Sequence, residues 1–193
     1  MPPKPKVTRD IVLEAALGLL REEGLNAVNA RNVAKQLGTS TQPIFSHFSS
    51  MEELREAIYA YAEHLYNTQM LAAMQSGGNG FLAMGLAYIR FARTEKKLFQ
   101  LLFMSGQLQQ EKVTEIAGTT EGDDQVIAMI VSMTGLSVDQ ARKLYAGIWF
   151  TTHGIASLVA TNSSTMDDEE AQAVLGSVFK GLLATLKREG EEL

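Results

Sequence analysis

A glycine set between two short helical patterns constrains this chain more than any other feature. Asn29 can cap a helix from Ala30 to Leu37, and its Val33, Ala34 and Leu37 fall on one face at helical spacing. Gly38 then permits the left-handed backbone that a tight corner needs. Ser40 can cap the next helix, from Thr41 to Phe48. That cap puts Pro43 at the third helical position, where its missing N–H has no intrahelical partner to lose. Ile44, Phe45 and Phe48 then face inward, and Ser40, Thr41 and Gln42 face outward near the start of the second helix. Two helices joined this way make a helix-turn-helix, in which short polar side chains at that start reach base edges in a DNA major groove.

The same punctuation runs through the whole chain. Ile11, Ala15 and Leu19, with Val12, Ala16 and Leu20, mark a helix that Gly24 ends. Ser50-Met51-Glu52-Glu53 reads as a capping box before a long helix bearing Leu54, Ile58, Tyr61 and Leu65 on one face. Gly77-Gly78-Asn79-Gly80 breaks the chain, and helices follow over Phe81–Arg93, Glu95–Met104 and Gln125–Met133. One helical turn is expected around Val113 to Ala117. Ser137-Val138-Asp139-Gln140 reads as another capping box, opening a helix to about Thr161. Asp167 to Glu170 suit the positive end of a last helix, and Lys187 and Arg188 its negative end. No segment alternates as a strand would, so the predicted fold is all-α with about nine helices. We expect an arm and helix-turn-helix head over residues 1–50 and a ligand-binding and dimerisation body over 51–193.

Composition removes several alternatives. The 193 residues include no Cys, which excludes disulfides, a thiolate nucleophile and a Cys-ligated zinc site. With 46% hydrophobic residues the chain is globular, yet its longest nearly uncharged stretch is too polar to span a membrane. The first residues, Met1-Pro2-Pro3-Lys4-Pro5-Lys6, lead into no apolar signal-peptide core, so a soluble, cytoplasmic protein is expected. The net charge of −5 divides into +2 over residues 1–50 and −7 over the rest, the balance of a polyanion-binding head on an acidic body. Lys4 and Lys6 on the arm are within reach of a phosphate backbone. There is no P-loop and no Gly-x-Ser-x-Gly. His47, His64 and His153 show no metal-ligand spacing, so we expect neither an enzyme nor a cofactor.

The string from Asn29 to Phe48, followed by Ser-Ser-Met-Glu-Glu-Leu, closely resembles the DNA-binding head of the tetracycline-repressor (TetR) family. The resemblance runs from near Thr8 to about Tyr61, a little over a quarter of the chain. It implies that Arg31, Thr41 and Gln42 face bases, where arginine bonds guanine and glutamine bonds adenine through paired hydrogen bonds. It implies that Asn29, Lys35, Ser40, Ser46 and His47 contact phosphate. Phe45 stands where the family usually has a tyrosine that contacts phosphate, and Met51 where it usually has lysine. Fewer neutralised phosphates imply a shallower salt dependence of binding.

The resemblance also implies a homodimer through the last two helices, about 137–161 and 167–189. The apolar stripes there are wide: Val138, Leu144, Ile148, Ile155 and Leu158 on one helix, Val174, Val178, Leu182 and Leu186 on the other. Such a dimer would read a pseudo-palindromic operator through recognition helices about 34–36 Å apart. Trp149-x-x-x-His153-Gly154 resembles a C-terminal variant of the family in which Trp, His and Gly recur in that order. Tyr88, Phe103, Met129, Tyr145, Trp149 and His153 are the candidate lining of a pocket for a small apolar or amphipathic effector. The alternative is a small-molecule binding protein or all-α enzyme with a vestigial helix-turn-helix, which Phe45 and Met51 favour.

Overall fold

The structure, a computed structural model, describes residues 7–77, 79–105 and 123–191. Among these residues there are nine α-helices and no strand, as the helical periodicity predicts. The expected turn at Val113 to Ala117 and the arm lysines Lys4 and Lys6 lie outside the described residues.

Three helices build the head: α1 (Arg9–Glu23), α2 (Ala30–Gln36) and α3 (Gln42–His47). Thr8 caps α1 by accepting from the Ile11 amide at 3.3 Å. Asn29 caps α2 by accepting from the Asn32 amide at 3.0 Å. Gly38 turns the corner at φ +62°, in the left-handed region open to glycine. The start of α3 differs from the sequence expectation. Thr41, not Ser40, flanks the helix, and no side chain caps it. Pro43 therefore sits at the second helical position, where its missing N–H is still one of the four that lack an intrahelical partner.

Val12, Leu20, Val33, Ile44 and Phe48 are fully or almost fully buried between the three helices. Each contributes roughly 1.5–3 kcal/mol of apolar burial. Phe45 does not join them: it is 48% exposed on the outer face of α3. A helix of six residues has room for one inward stripe, and Ile44 and Phe48, four apart, fill it.

The 24-residue α4 (Met51–Met74) leaves the head and enters the body. Ser50 accepts from the Glu53 amide at 3.1 Å, but the expected capping box closes only halfway. The Glu53 carboxylate takes the amide and hydroxyl of Ser49 instead, at 2.6 and 2.8 Å. Leu54 and Ile58 of α4 are buried in the same cluster as the head core, and that cluster continues to Phe91 and Phe99 of the body.

In the body, α5 (Gly80–Thr94) lies between α4, α8 (Val138–Ala160) and α9 (Asp168–Glu191). The short α6 (Lys96–Phe103) packs on α1, α4 and α8, while α7 (Asp124–Thr134) packs on α8 and α5. The capping box at Ser137 and Gln140 forms in both directions. A second reciprocal pair opens α9, where Asp167 and Glu170 each accept from the other's amide, at 2.8 and 3.1 Å. At Gly147 a Cβ would lie 2.6 Å from Leu182, so glycine there lets α8 and α9 approach closely.

Candidate nucleic-acid interface and body cavity

The outer face of the helix-turn-helix collects the side chains singled out above. Arg31, Lys35, Ser40, Thr41, Gln42, Phe45 and Ser46 are all exposed on α2, α3 and the turn between them. Arg31 and Lys35 have no ion-pair partner among the described residues, so both cations are free to meet an anion. Asn29 and His47 are half-buried and carry intramolecular bonds. The Asn29 side chain caps α2 and donates to the Ala27 carbonyl at 3.3 Å. His47 Nε2 lies 2.9 Å from the Val7 carbonyl, which can only accept, so that nitrogen bears the proton. It ties the residue before α1 to the end of α3.

The head is also tied to the body away from α4. The Arg21 guanidinium donates twice to the Glu95 carboxylate, at 2.8 and 3.0 Å, between α1 and the start of α6. This carboxylate raises the Arg21 pKa above its usual value. Near the end of α5, Arg90 and Arg93 both bond Asp168 at the start of α9 and hold its carboxyl below the usual range.

A cavity of about 60 Å³ lies between α4, α5 and α8. Tyr66, Phe81, Tyr88, Tyr145 and Trp149 supply its rings, and Met70, Met84 and Ile148 its aliphatic wall. An open groove of about 860 Å³ between α5 and α9 adjoins it, with Phe81, Gly85 and Ile148 bordering both. Of the six predicted lining residues, Tyr88, Tyr145 and Trp149 are at the wall. His153 and Phe103 stand beside it: Trp149 stacks on His153 with centroids 5.0 Å apart, and Phe103 packs against Tyr88 at 5.3 Å. Met129 approaches Gly80 instead. Sequence reasoning did not pick out Tyr66 and Met70. Tyr66 lies one helical turn beyond Ala62, continuing the buried Leu54, Ile58 and Ala62 face, and that register is the signal that would have found it.

The polar atoms around the cavity are nearly all spoken for. Tyr145 donates to Asp123 at 2.9 Å, and Thr152 to the Ile148 carbonyl at 2.8 Å. Tyr88 Oη lies 2.9 Å from His153 Nδ1, and His153 Nε2 lies 3.4 Å from the Ser157 hydroxyl. Burial pushes the His153 imidazole below its ordinary 6.5, which keeps it neutral among four aromatic neighbours. The unfolded chain binds this proton more readily than the folded one. Stability from this site is therefore complete above pH 6.5 and falls as the pH drops through 6.5 toward the lower folded value. Melting curves at pH 7.5 and 5.5 are expected to show a smaller loss for His153→Gln than for the parent; equal losses would remove His153 as the cause.

A polar helix-turn-helix face on a helical body with a ring-lined cavity defines a helix-turn-helix transcriptional regulator. Residues 12–58 match the bacterial regulatory proteins of the tetR family, and residues 81–186 match the tetracyclin repressor-like C-terminal domain. The chain belongs to the tetR family. An HTH-type transcriptional regulator of Mycobacterium tuberculosis is 26% identical over 185 residues, covering 95% of this chain and 83% of that one. An HTH-type transcriptional repressor of Streptomyces coeruleorubidus is 40% identical over 52 residues, 27% of this chain and 19% of that one. A solved structure from Rhodococcus sp. RHA1 superposes with a TM-score of 0.73 at 18% identity, covering 95% of this chain and 100% of that one. Among the described residues, no helix is long and apolar enough to cross a membrane, and no group of His, Asp and Glu could hold a metal ion.

Proposed function

We propose that this regulator is a homodimeric repressor of a pseudo-palindromic operator, released when a small molecule enters the body. The exposure of Arg31 on α2 and of Thr41 and Gln42 at the start of α3, in helices joined by the Gly38 turn, carries the reading. These three would contact bases, and Lys35, Ser40 and Ser46 would contact phosphate. Asn29 and His47 would act chiefly by holding α2 and α3 in place, since their side chains are already bonded. Phe45 would give an apolar contact where a hydroxyl would bond phosphate. The likeness of the head to a named repressor supports the sign of regulation. The division we propose is a head of residues 1–50 and a body of 51–193, with catalysis no part of its work.

Dimerisation through α8 and α9 rests on an uncovered apolar face. Phe150 and Leu158 of α8 and Val174 of α9 are exposed. Gly154 and Gly181 have open space where a Cβ would stand. A mid-helix glycine costs about 1 kcal/mol against alanine, and among the described residues nothing stands within 4 Å of where a Cβ would lie at either. A partner helix approaching closely gives them a reason.

The release mechanism follows from α4. One continuous helix carries Leu54 and Ile58 in the head core and Tyr66 and Met70 at the cavity wall, roughly 18 Å apart along its axis. A molecule that displaces Tyr66 or Met70 moves the same rod that seats the head. Its effect is limited to its differential affinity for the two head arrangements. The test is titration of duplexes taken from beside the gene, with and without candidate effectors. We expect tight binding to a palindrome, weakened by the effector. Failure to retain any duplex at low salt would overturn the proposal.

A further inference from the structure

The effector's chemistry can be read from the wall of the cavity, granting that the body is the effector site. Among the described residues no Lys, Arg, Asp or Glu lines it. An ion bound there would lose hydration with no opposite charge among the described lining residues to offset it, which costs several kcal/mol. Asp123 is not among the lining residues and accepts from the Tyr145 hydroxyl. Burial first, and the charge of Asp123 second, raise the phenol pKa values of Tyr66 and Tyr145, so both hydroxyls stay neutral donors.

Two donors remain. Tyr66 reaches the wall from α4, and its hydroxyl has no hydrogen-bond partner among the described residues. The Trp149 indole N–H has none either. Among the described residues no fully buried side-chain nitrogen or oxygen is left unpaired, so both groups remain accessible to something that enters. An indole N–H only donates, and a phenol donates readily. The matching group on a ligand is an acceptor oxygen. The volume sets a second condition. About 60 Å³ holds roughly two waters, well below the ~300–1,000 Å³ of a drug-sized site. Met70 and Met84 are the unbranched, adaptable side chains that can yield.

We infer that the cavity takes an uncharged, largely apolar molecule with a carbonyl-type acceptor oxygen, seated on the Tyr66 hydroxyl and entering by displacement of Met70 and Met84. Trp149 is the chain's one tryptophan and stands at the cavity wall, so its emission reports changes there. The probes are three small molecules on one ring: cyclohexyl methyl ketone, cyclohexanecarboxylate and cyclohexylmethylammonium. The ketone's weak near-ultraviolet band overlaps tryptophan excitation, so free tryptophan titrated in parallel corrects for absorption.

The full chain should bind the ketone more tightly than either ion, with a change in Trp149 emission. Tyr66→Phe should weaken the ketone ~3- to 10-fold, the share of one hydrogen bond, while its melting temperature stays near that of the parent. Tighter binding of the ammonium or the carboxylate would overturn the inference. So would an unchanged ketone affinity in Tyr66→Phe, or no response to any of the three. Duplex titration of the same preparations reads the operator separately, so a failed cavity leaves a bound operator visible.

Discussion

Phe150→Asp combined with Leu158→Asp is expected to give a monomer that melts near the parent temperature and binds operator about 10²–10⁴-fold more weakly. Both side chains are exposed in the single chain, at 37% and 51%, so aspartate there costs the subunit little. At a two-fold interface each substitution is present twice, and four carboxylates would face one another where apolar surface was buried. The large loss on DNA comes from geometry and not from any lost base contact. With both heads on one body, the second half-site is bound at a high effective concentration, and a monomer forfeits that gain. Light scattering with duplex titration checks both limbs. A variant that remains dimeric places the interface elsewhere. A monomer with unchanged operator affinity removes the paired-head account.

The parts of this molecule that were legible in its sequence are those set by neighbours three or four residues apart. Ser137 with Gln140, Asn29 with Asn32, and Gly24 and Gly38 at their corners all act through local backbone geometry, and a string of letters displays that directly. Where two local solutions compete, the string does not choose between them. Glu53 could close a box on Ser50, but Ser49 offers it two donors at once. Ser40 reads as the cap of α3, yet Thr41 flanks the helix with no side-chain cap, and Ile44 and Phe48 are the residues buried from this segment. Their burial leaves Phe45 facing outward, although its composition reads as core.

What lay beyond reach was convergence across the chain. Arg21 and Glu95 are 74 residues apart, and Tyr88 and His153 are 65 apart. The cavity draws on α4, α5 and α8 together. Periodicity shows which face of each helix is apolar but not which faces meet. Tyr88, Tyr145 and Trp149 were found because the resemblance pointed to the body. The face expected of α4, through Leu54, Ile58, Tyr61 and Leu65, omits Tyr66, whose hydroxyl at the wall has no hydrogen-bond partner among the described residues.

Gln42→Ala should then separate base reading from backbone holding at the head. Gln42 is neutral and exposed at the first position of α3, so its loss removes no phosphate charge and disturbs no core. A paired contact to a base is worth ~1–3 kcal/mol and occurs once per half-site, so the dimer should lose roughly 2–6 kcal/mol, or about 30- to 10⁴-fold in affinity. Preference at one base pair of each half-site should relax, and the slope of log affinity against log salt should stay put. Arg31→Ala should behave the same way if its guanidinium bonds guanine, with its loss concentrated on one operator position. Lys35→Ala should do the opposite: a modest, sequence-independent loss and a slope shallower by about 0.9 for each head. The three variants thus assign each side chain by the shape of its loss, not its size. If Gln42→Ala weakens every duplex equally, or shifts the salt slope as Lys35→Ala does, the corner of α3 holds the DNA backbone and the bases are read elsewhere.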